Sequence, residues 1–266
     1  MKLGFCHCCG IFVTELTDEH APPLQTQKLI PARMLLRNSM TKMKEHNMSK
    51  RRLPPAIRAP GGFKFKTFCK VCQGKTQKAY GAAFREWVEH GLRLAQSVVD
   101  YDSTVVRSSI SIQPLNVIKQ MASNALAVSL YSETKHKRQL RAFVQAPSRK
   151  ELPPHVRFLL YLNAVRPDYE LPQCRYEHDE MIVDTLRGIR TDLLAEIAVP
   201  PFGVVTLIDN GHRLPPHLRA LMDISYFAEF DLDQRADVEL MVPVRTVFGY
   251  APLRFWQDAI KEDAFK

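Results

Sequence analysis

The run Phe63-Lys64-Phe65-Lys66-Thr67-Phe68-Cys69-Lys70-Val71-Cys72-Gln73-Gly74-Lys75-Thr76 joins a short alternating segment to a Cys-x-x-Cys pair and then to a helical pattern. The alternation of aromatic and polar residues over 63–68 predicts a strand. Tyr80, Phe84, Trp87, Val88, Leu92 and Leu94 supply the apolar positions of a helix predicted over about 76–99. Two thiolates at this spacing on a tight turn reach one tetrahedral metal ion. A second pair, Cys6 and Cys9 in Cys6-His7-Cys8-Cys9-Gly10, stands near the N-terminus, with 59 residues between the two pairs. Cys6, Cys9, Cys69 and Cys72 together form a closed structural zinc site, although Cys6 with Cys8, or a sulfur–nitrogen set using His7, also satisfies the spacing. The gap exceeds that of a simple ribbon, so the residues between the pairs read as an insertion stapled at both ends.

The charge is distributed as unevenly as the cysteines. The chain has 266 residues and a net charge of +9; residues 1–90 carry 16 Lys and Arg against 6 Asp and Glu, and residues 91–266 carry 21 against 22. A basic excess confined to one third of the chain points to an anionic partner, with nucleic acid ahead of a membrane surface. Composition of 45% hydrophobic and 24% charged residues excludes disorder as the main state. No stretch approaches the roughly 18 apolar residues of a membrane span. The N-terminal residues reach cysteines before any apolar stretch of signal-peptide length, so a reducing, cytoplasmic compartment is expected, in which clustered thiols hold metal.

Along the chain, residues 31–47 are expected to be a basic helix beginning near Pro31, with Met34, Leu35, Met40 and Met43 on its apolar side, and 50–62 a loop rich in Pro and Gly. Arg33, Arg37, Lys42, Lys44, Lys50, Arg51 and Arg52 are the candidate phosphate contacts of this stretch. A break near Tyr101-Asp102-Ser103 divides residues 1–100 from 104–266. Beyond it a helix is expected from Pro114, and strands over 156–165, 181–186, 193–199, 204–208 and 238–242. The expected fold is α+β: a zinc-bound N-terminal module followed by a mixed α+β domain rich in antiparallel strands. Tyr176-Glu177-His178-Asp179-Glu180 reads as a solvated acidic loop. His155, His178, His212 and His217 show no metal-ligand spacing, and Cys174 reads as an ordinary thiol.

Glu19-His20 lies about ten residues after the first cysteine pair, just before Pro22-Pro23. The order Cys-x-x-Cys, strand, acidic-His-x-Pro, basic helix, strand, Cys-x-x-Cys, helix resembles the zinc-stapled branch of the HNH endonucleases, of the ββα-metal or treble-clef type. Cys72-Gln73-Gly74-Lys75-Thr76 with Tyr80-Gly81 and Trp87 is similar to a bacterial and phage group of that family, in which a Cys-Asn-Asn-Lys-Thr-Gly run leads into a Tyr- and Trp-bearing helix. Leu152-Pro153-Pro154, Pro200-Pro201-Phe202-Gly203 and Asp223-Ile224-Ser225 also look like that group.

The resemblance implies an N-terminal ββα-metal module in which His20 is the general base of phosphodiester hydrolysis. It further implies that Glu19 and Gln73 hold a Mg²⁺-like ion, and that the zinc is structural. Two positions depart from the family: Gln73 stands where His or Asn is usual, and no Asn occurs on the segment 63–68. The alternative is a catalytically inactive zinc module that binds nucleic acid or a protein partner.

Overall fold

The computed structural model describes residues 3–20, 33–35, 56–58, 64–98, 105–163, 173–184, 189–199, 201–209, 214 and 216–245. Residues 4–13 make a tight metal-knuckle-like turn. Strands β1 (Gly4–Phe5) and β2 (Phe12–Val13) pair antiparallel around it. Within the turn the Gly10 N–H donates to Cys6 O at 2.8 Å and the Cys6 N–H to Ile11 O at 2.9 Å. Gly10 sits at φ +76°, a backbone region that disfavours a side chain. Strand β3 (Thr17–His20) then pairs antiparallel with β6 (Lys64–Phe68), and helix α1 (Lys70–Gln96) starts immediately after β6. The helix begins six residues earlier than its apolar periodicity indicates, because its first turn is the Cys-x-x-Cys itself: Gln73 N–H donates to Cys69 O at 3.0 Å.

The expected helix over 31–47 is corrected where the structure describes it. Residues Arg33–Leu35 form strand β4, antiparallel to β5 (Ala56–Arg58) and parallel to β9 (Gln173–Asp184). Residues 56–58, expected in a loop, are therefore also strand. A sheet edge offering backbone hydrogen bonds outweighs a weak helical pattern, since local propensity yields to tertiary pairing. The remainder of 31–47 lies outside the described residues.

The rest of the described chain confirms the mixed α+β class. In order come β7 (Val105–Ile112), α2 (Pro114–Val128), α3 (Lys135–Gln145), β8 (Val156–Asn163), β9, β10 (Ile189–Val199), β11 (Phe202–Ile208), the short α4 (Pro216–Arg219), β12 (Met222–Asp223) and β13 (Ala236–Arg245). One sheet of nine strands runs β5-β4-β9-β10-β11-β8-β13-β7, with β12 beside β8; its pairs are antiparallel except β4–β9 and β13–β8. The acidic run Tyr176–Glu180, expected as a loop, lies inside β9, where pairing with β10 recruits it. Helix α3 and strand β7 are additions that polar, Ser-rich and Lys-rich sequence did not announce; Thr134 caps α3 by accepting from Lys137 N–H.

The sheet is covered on both faces, which explains the unbroken apolar run over β8. Phe158, Leu160 and Leu162 face a large core with the helices, while Leu159 and Tyr161 face a smaller one with Val205, Leu207, Leu218 and Leu221. Helix α2 is buried over its whole length. Its Lys119 ammonium donates to Phe143 O at 2.5 Å and Ala146 O at 2.8 Å, tying α2 to the end of α3, and burial pushes its pKa down to about 7. Trp87 of α1 stacks on Phe202 of β11 with ring centroids 4.4 Å apart. The large core is thus continuous from the cysteine-bearing elements to the sheet.

Candidate metal centre and the adjoining Glu19-His20 site

The turn between β1 and β2 and the first turn of α1 bring Cys6, Cys9, Cys69 and Cys72 together. Their four sulfurs all lie within 4.8 Å of one another. A tetrahedron with metal–sulfur bonds of about 2.3 Å has edges of about 3.8 Å, so a small inward adjustment closes it around an ion. The backbone already favours thiolate at one corner: Cys69 N–H donates to Cys6 Sγ at 3.2 Å, and the Cys9 N–H also acts on it. Against that, the hydrogen bond with Cys72 and then burial push the Cys6 thiol up to about 12. Cys72, although hydrogen-bonded by Cys6, is raised overall by its contact with Cys8 and by burial. Crowded, buried thiols that repel one another's ionisation gain most from a cation in their midst.

Of the alternative ligands, His7 is held at Nδ1 by a backbone carbonyl and the Cys8 thiol stands against Cys72. His7 Nδ1 lies 3.1 Å from Leu126 O, at the end of α2. Cys8 is buried beside the four and its carbonyl accepts from Gln145 Nε2 at 2.7 Å. Among the described residues the four-cysteine group is the one cluster of His, Cys, Asp and Glu with metal-ligand geometry.

Next to this cluster, strand alternation separates Glu19 from its neighbours. Glu19 is fully buried, Asp18 is exposed and His20 is half-buried. Among the described residues neither Glu19 carboxylate oxygen makes a well-formed hydrogen bond, the Gln73 amide being close enough only to act on it weakly. Burial pushes its pKa up to about 7, against a smaller opposing pull from the Gln73 amide. Gln73 reaches the hairpin from α1, donating Nε2 to Asp18 O at 2.6 Å. The structure therefore brings Gln73 against the Asp18–Glu19 segment, one residue from His20. Across the hairpin, the register sets Lys64 opposite His20 and Lys66 opposite Asp18. In the sequence the two lysines are the polar members of an alternating strand. Their alternation with Phe65 carried the signal that they share one face, but the facing residue emerges only with the pairing.

Of the basic residues expected to contact phosphate, Arg33 lies in β4, and Arg37, Lys42, Lys44, Lys50, Arg51 and Arg52 lie outside the described residues. No helix among the described residues is long and apolar enough to cross a membrane. No family model, no curated protein and no solved structure matches this chain.

Proposed function

We propose that the chain is a metal-dependent phosphodiesterase of HNH type, acting on nucleic acid, DNA first, with zinc held by Cys6, Cys9, Cys69 and Cys72. The observation that carries the reading is the Glu19 carboxylate: fully buried, without a well-formed hydrogen bond among the described residues, beside the Gln73 amide and one residue before His20. A buried carboxylate without hydrogen bonds is destabilising unless a proton or a cation neutralises it. Two carboxylate oxygens and an amide side chain form an oxygen-rich donor set that suits a hard divalent cation such as Mg²⁺. The order of knuckle turn, two-stranded hairpin and helix whose first turn completes a four-thiol cluster supports a treble-clef or ββα-metal module. Four thiols suit zinc better than a hard cation, and a reducing, cytoplasmic setting keeps them free of disulfides.

In this reading the zinc fixes α1 against the hairpin, and Glu19 and Gln73 hold the divalent ion. Such an ion, when bound by Glu19 and Gln73, would supply Lewis-acid polarisation of the phosphate. His20 accepts a proton from the attacking water, whose oxygen bonds to phosphorus as the bond to the leaving oxygen breaks. The leaving oxygen takes its proton from solvent, so the net reaction is hydrolysis. His20→Ala is expected to lower divalent-dependent plasmid cleavage by about 10²-fold or more, with zinc content and circular dichroism unchanged. Equal residual nicking by wild type and variant removes the hydrolase reading.

A second reading, a zinc-stapled binding module without catalysis, is favoured by the commitment of Gln73 Nε2 to a backbone carbonyl, which is a structural use of that side chain. The same assay separates the two.

A further inference from the structure

The hairpin β3–β6 presents one outward face on which charge and the imidazole are neighbours. Alternation turns Glu19 inward and leaves Asp18 and His20 outside. Directly across, His20 faces Lys64 and Asp18 faces Lys66, while Phe65 between the lysines packs against the core. Cross-strand partners hold their Cβ atoms about 5 Å apart. A lysine stem is longer than that separation, so the Lys64 ammonium reaches any group in contact with the His20 ring. Lys64 and Lys66 are both exposed. Neither makes an ion pair among the described residues. Their surroundings differ in one respect: Lys66 stands opposite a carboxylate, which offsets its field, and Lys64 does not.

We propose that Lys64 is a substrate-binding residue of this site, holding a phosphodiester oxygen against His20 on the outer face of the hairpin. The inference rests on the phosphodiesterase reading above and adds a contact on the substrate side. An ammonium is a compact charge with three donors and binds the non-bridging oxygens of a phosphate by charge-assisted hydrogen bonds. Placed one strand from the imidazole, it draws the scissile phosphate to the side from which His20 activates water. Lys64 thereby orients the substrate, and Lys66 contributes only to the general field.

The test uses the full zinc-loaded chain carrying His20→Ala, so that bound DNA stays intact. Affinity for a labelled DNA oligonucleotide, single-stranded and duplex, is measured across a salt series. Adding Lys64→Gln is expected to weaken binding about tenfold and to reduce the slope of log affinity against log salt by about one. Lys64→Arg restores most of the affinity, because it keeps the charge. Lys66→Gln, the same charge loss two residues away on the same face, has little effect. Equal losses for Lys64→Gln and Lys66→Gln would reduce the effect to unspecific electrostatics and overturn the assignment, as would a parent chain that binds no DNA. Wild-type cleavage is scored separately. DNA binding through Lys64 without divalent-dependent cleavage upholds the phosphate contact and removes the hydrolase reading. Cleavage whose KM and kcat are indifferent to Lys64→Gln overturns the contact and leaves that reading in place.

Discussion

Glu19 takes two carboxylate oxygens into the interior, and among the described residues neither gains a well-formed hydrogen bond. Burial raises its pKa from 4.5 to about 7, so between these values the folded chain keeps a proton that the unfolded chain has released. Stability then falls as pH rises through that window and is lowest, and flat, above it. The full difference is on the order of 3 kcal/mol. Glu19→Gln removes the proton linkage: in urea unfolding without added divalent cations, the variant should gain on wild type as pH rises from 5 to about 7, then hold a constant lead. Added Mg²⁺ should narrow that lead at pH 8 by stabilising wild type alone. Parallel pH profiles for the two chains would mean that Glu19 is neutralised by something other than a proton or a cation. The dipeptide Glu19-His20 is conspicuous in the sequence, but the inward turn of Glu19 is a product of pairing with β6.

At the scale of elements, α1 shows how a sequence pattern and a packing constraint meet. Its apolar positions are legible over most of its length, and its true start at Lys70 is hidden because cysteines, Gln73 and Gly74 occupy the first turns for reasons other than amphipathicity. Gly91, in the last third of the helix, meets the sheet at close range. A Cβ there would lie 2.2 Å from Phe202 Cε2 and 2.5 Å from Pro201 Cγ. Phe202 is stacked on Trp87 and has no room to retreat. An exposed helical Gly→Ala change normally stabilises; Gly91→Ala is expected instead to destabilise by about 1–3 kcal/mol, read as a lower urea midpoint at unchanged m-value. A neutral or stabilising result would show that α1 can move away from β11. The segment 33–35 teaches the opposite lesson: a basic, Met-containing stretch reads as helix by itself, and the free edge of β9 makes it strand.

Over the whole molecule, the cysteine-bearing elements are wired to the rest of the chain. His7 meets Leu126 O, Tyr80 Oη donates to Val144 O at 2.7 Å, Gln145 Nε2 donates to Cys8 O, and Arg235 pairs with Glu86 at 2.8 Å. These links join the first hundred residues to α2, α3 and the start of β13, on top of a shared apolar core. A difference in composition and charge along the chain therefore coexists with continuous packing. Removing the metal with a chelator should lower the thermal midpoint by about 10 °C or more, and near- and far-ultraviolet circular dichroism should shift together in one transition. Two separated transitions, with the later one unaffected by metal, would show that the sheet is stable without the cysteine-bearing elements.

What the sequence determined by itself is chemical identity at short range: two Cys-x-x-Cys pairs, a carboxylate beside an imidazole, a basic first third, the apolar runs of the sheet and the periodic helices at α1 and α2. Such features are legible because ligand spacing and side-chain period are local properties of the chain. Tertiary structure decided which distant groups meet. It gathered four sulfurs from positions 63 residues apart, set Lys64 across from His20, buried Glu19 beside Gln73, and turned residues 33–35 and 56–58 into sheet. Those outcomes depend on strand register and on free hydrogen-bonding edges, which are settled by contacts between segments far apart in sequence.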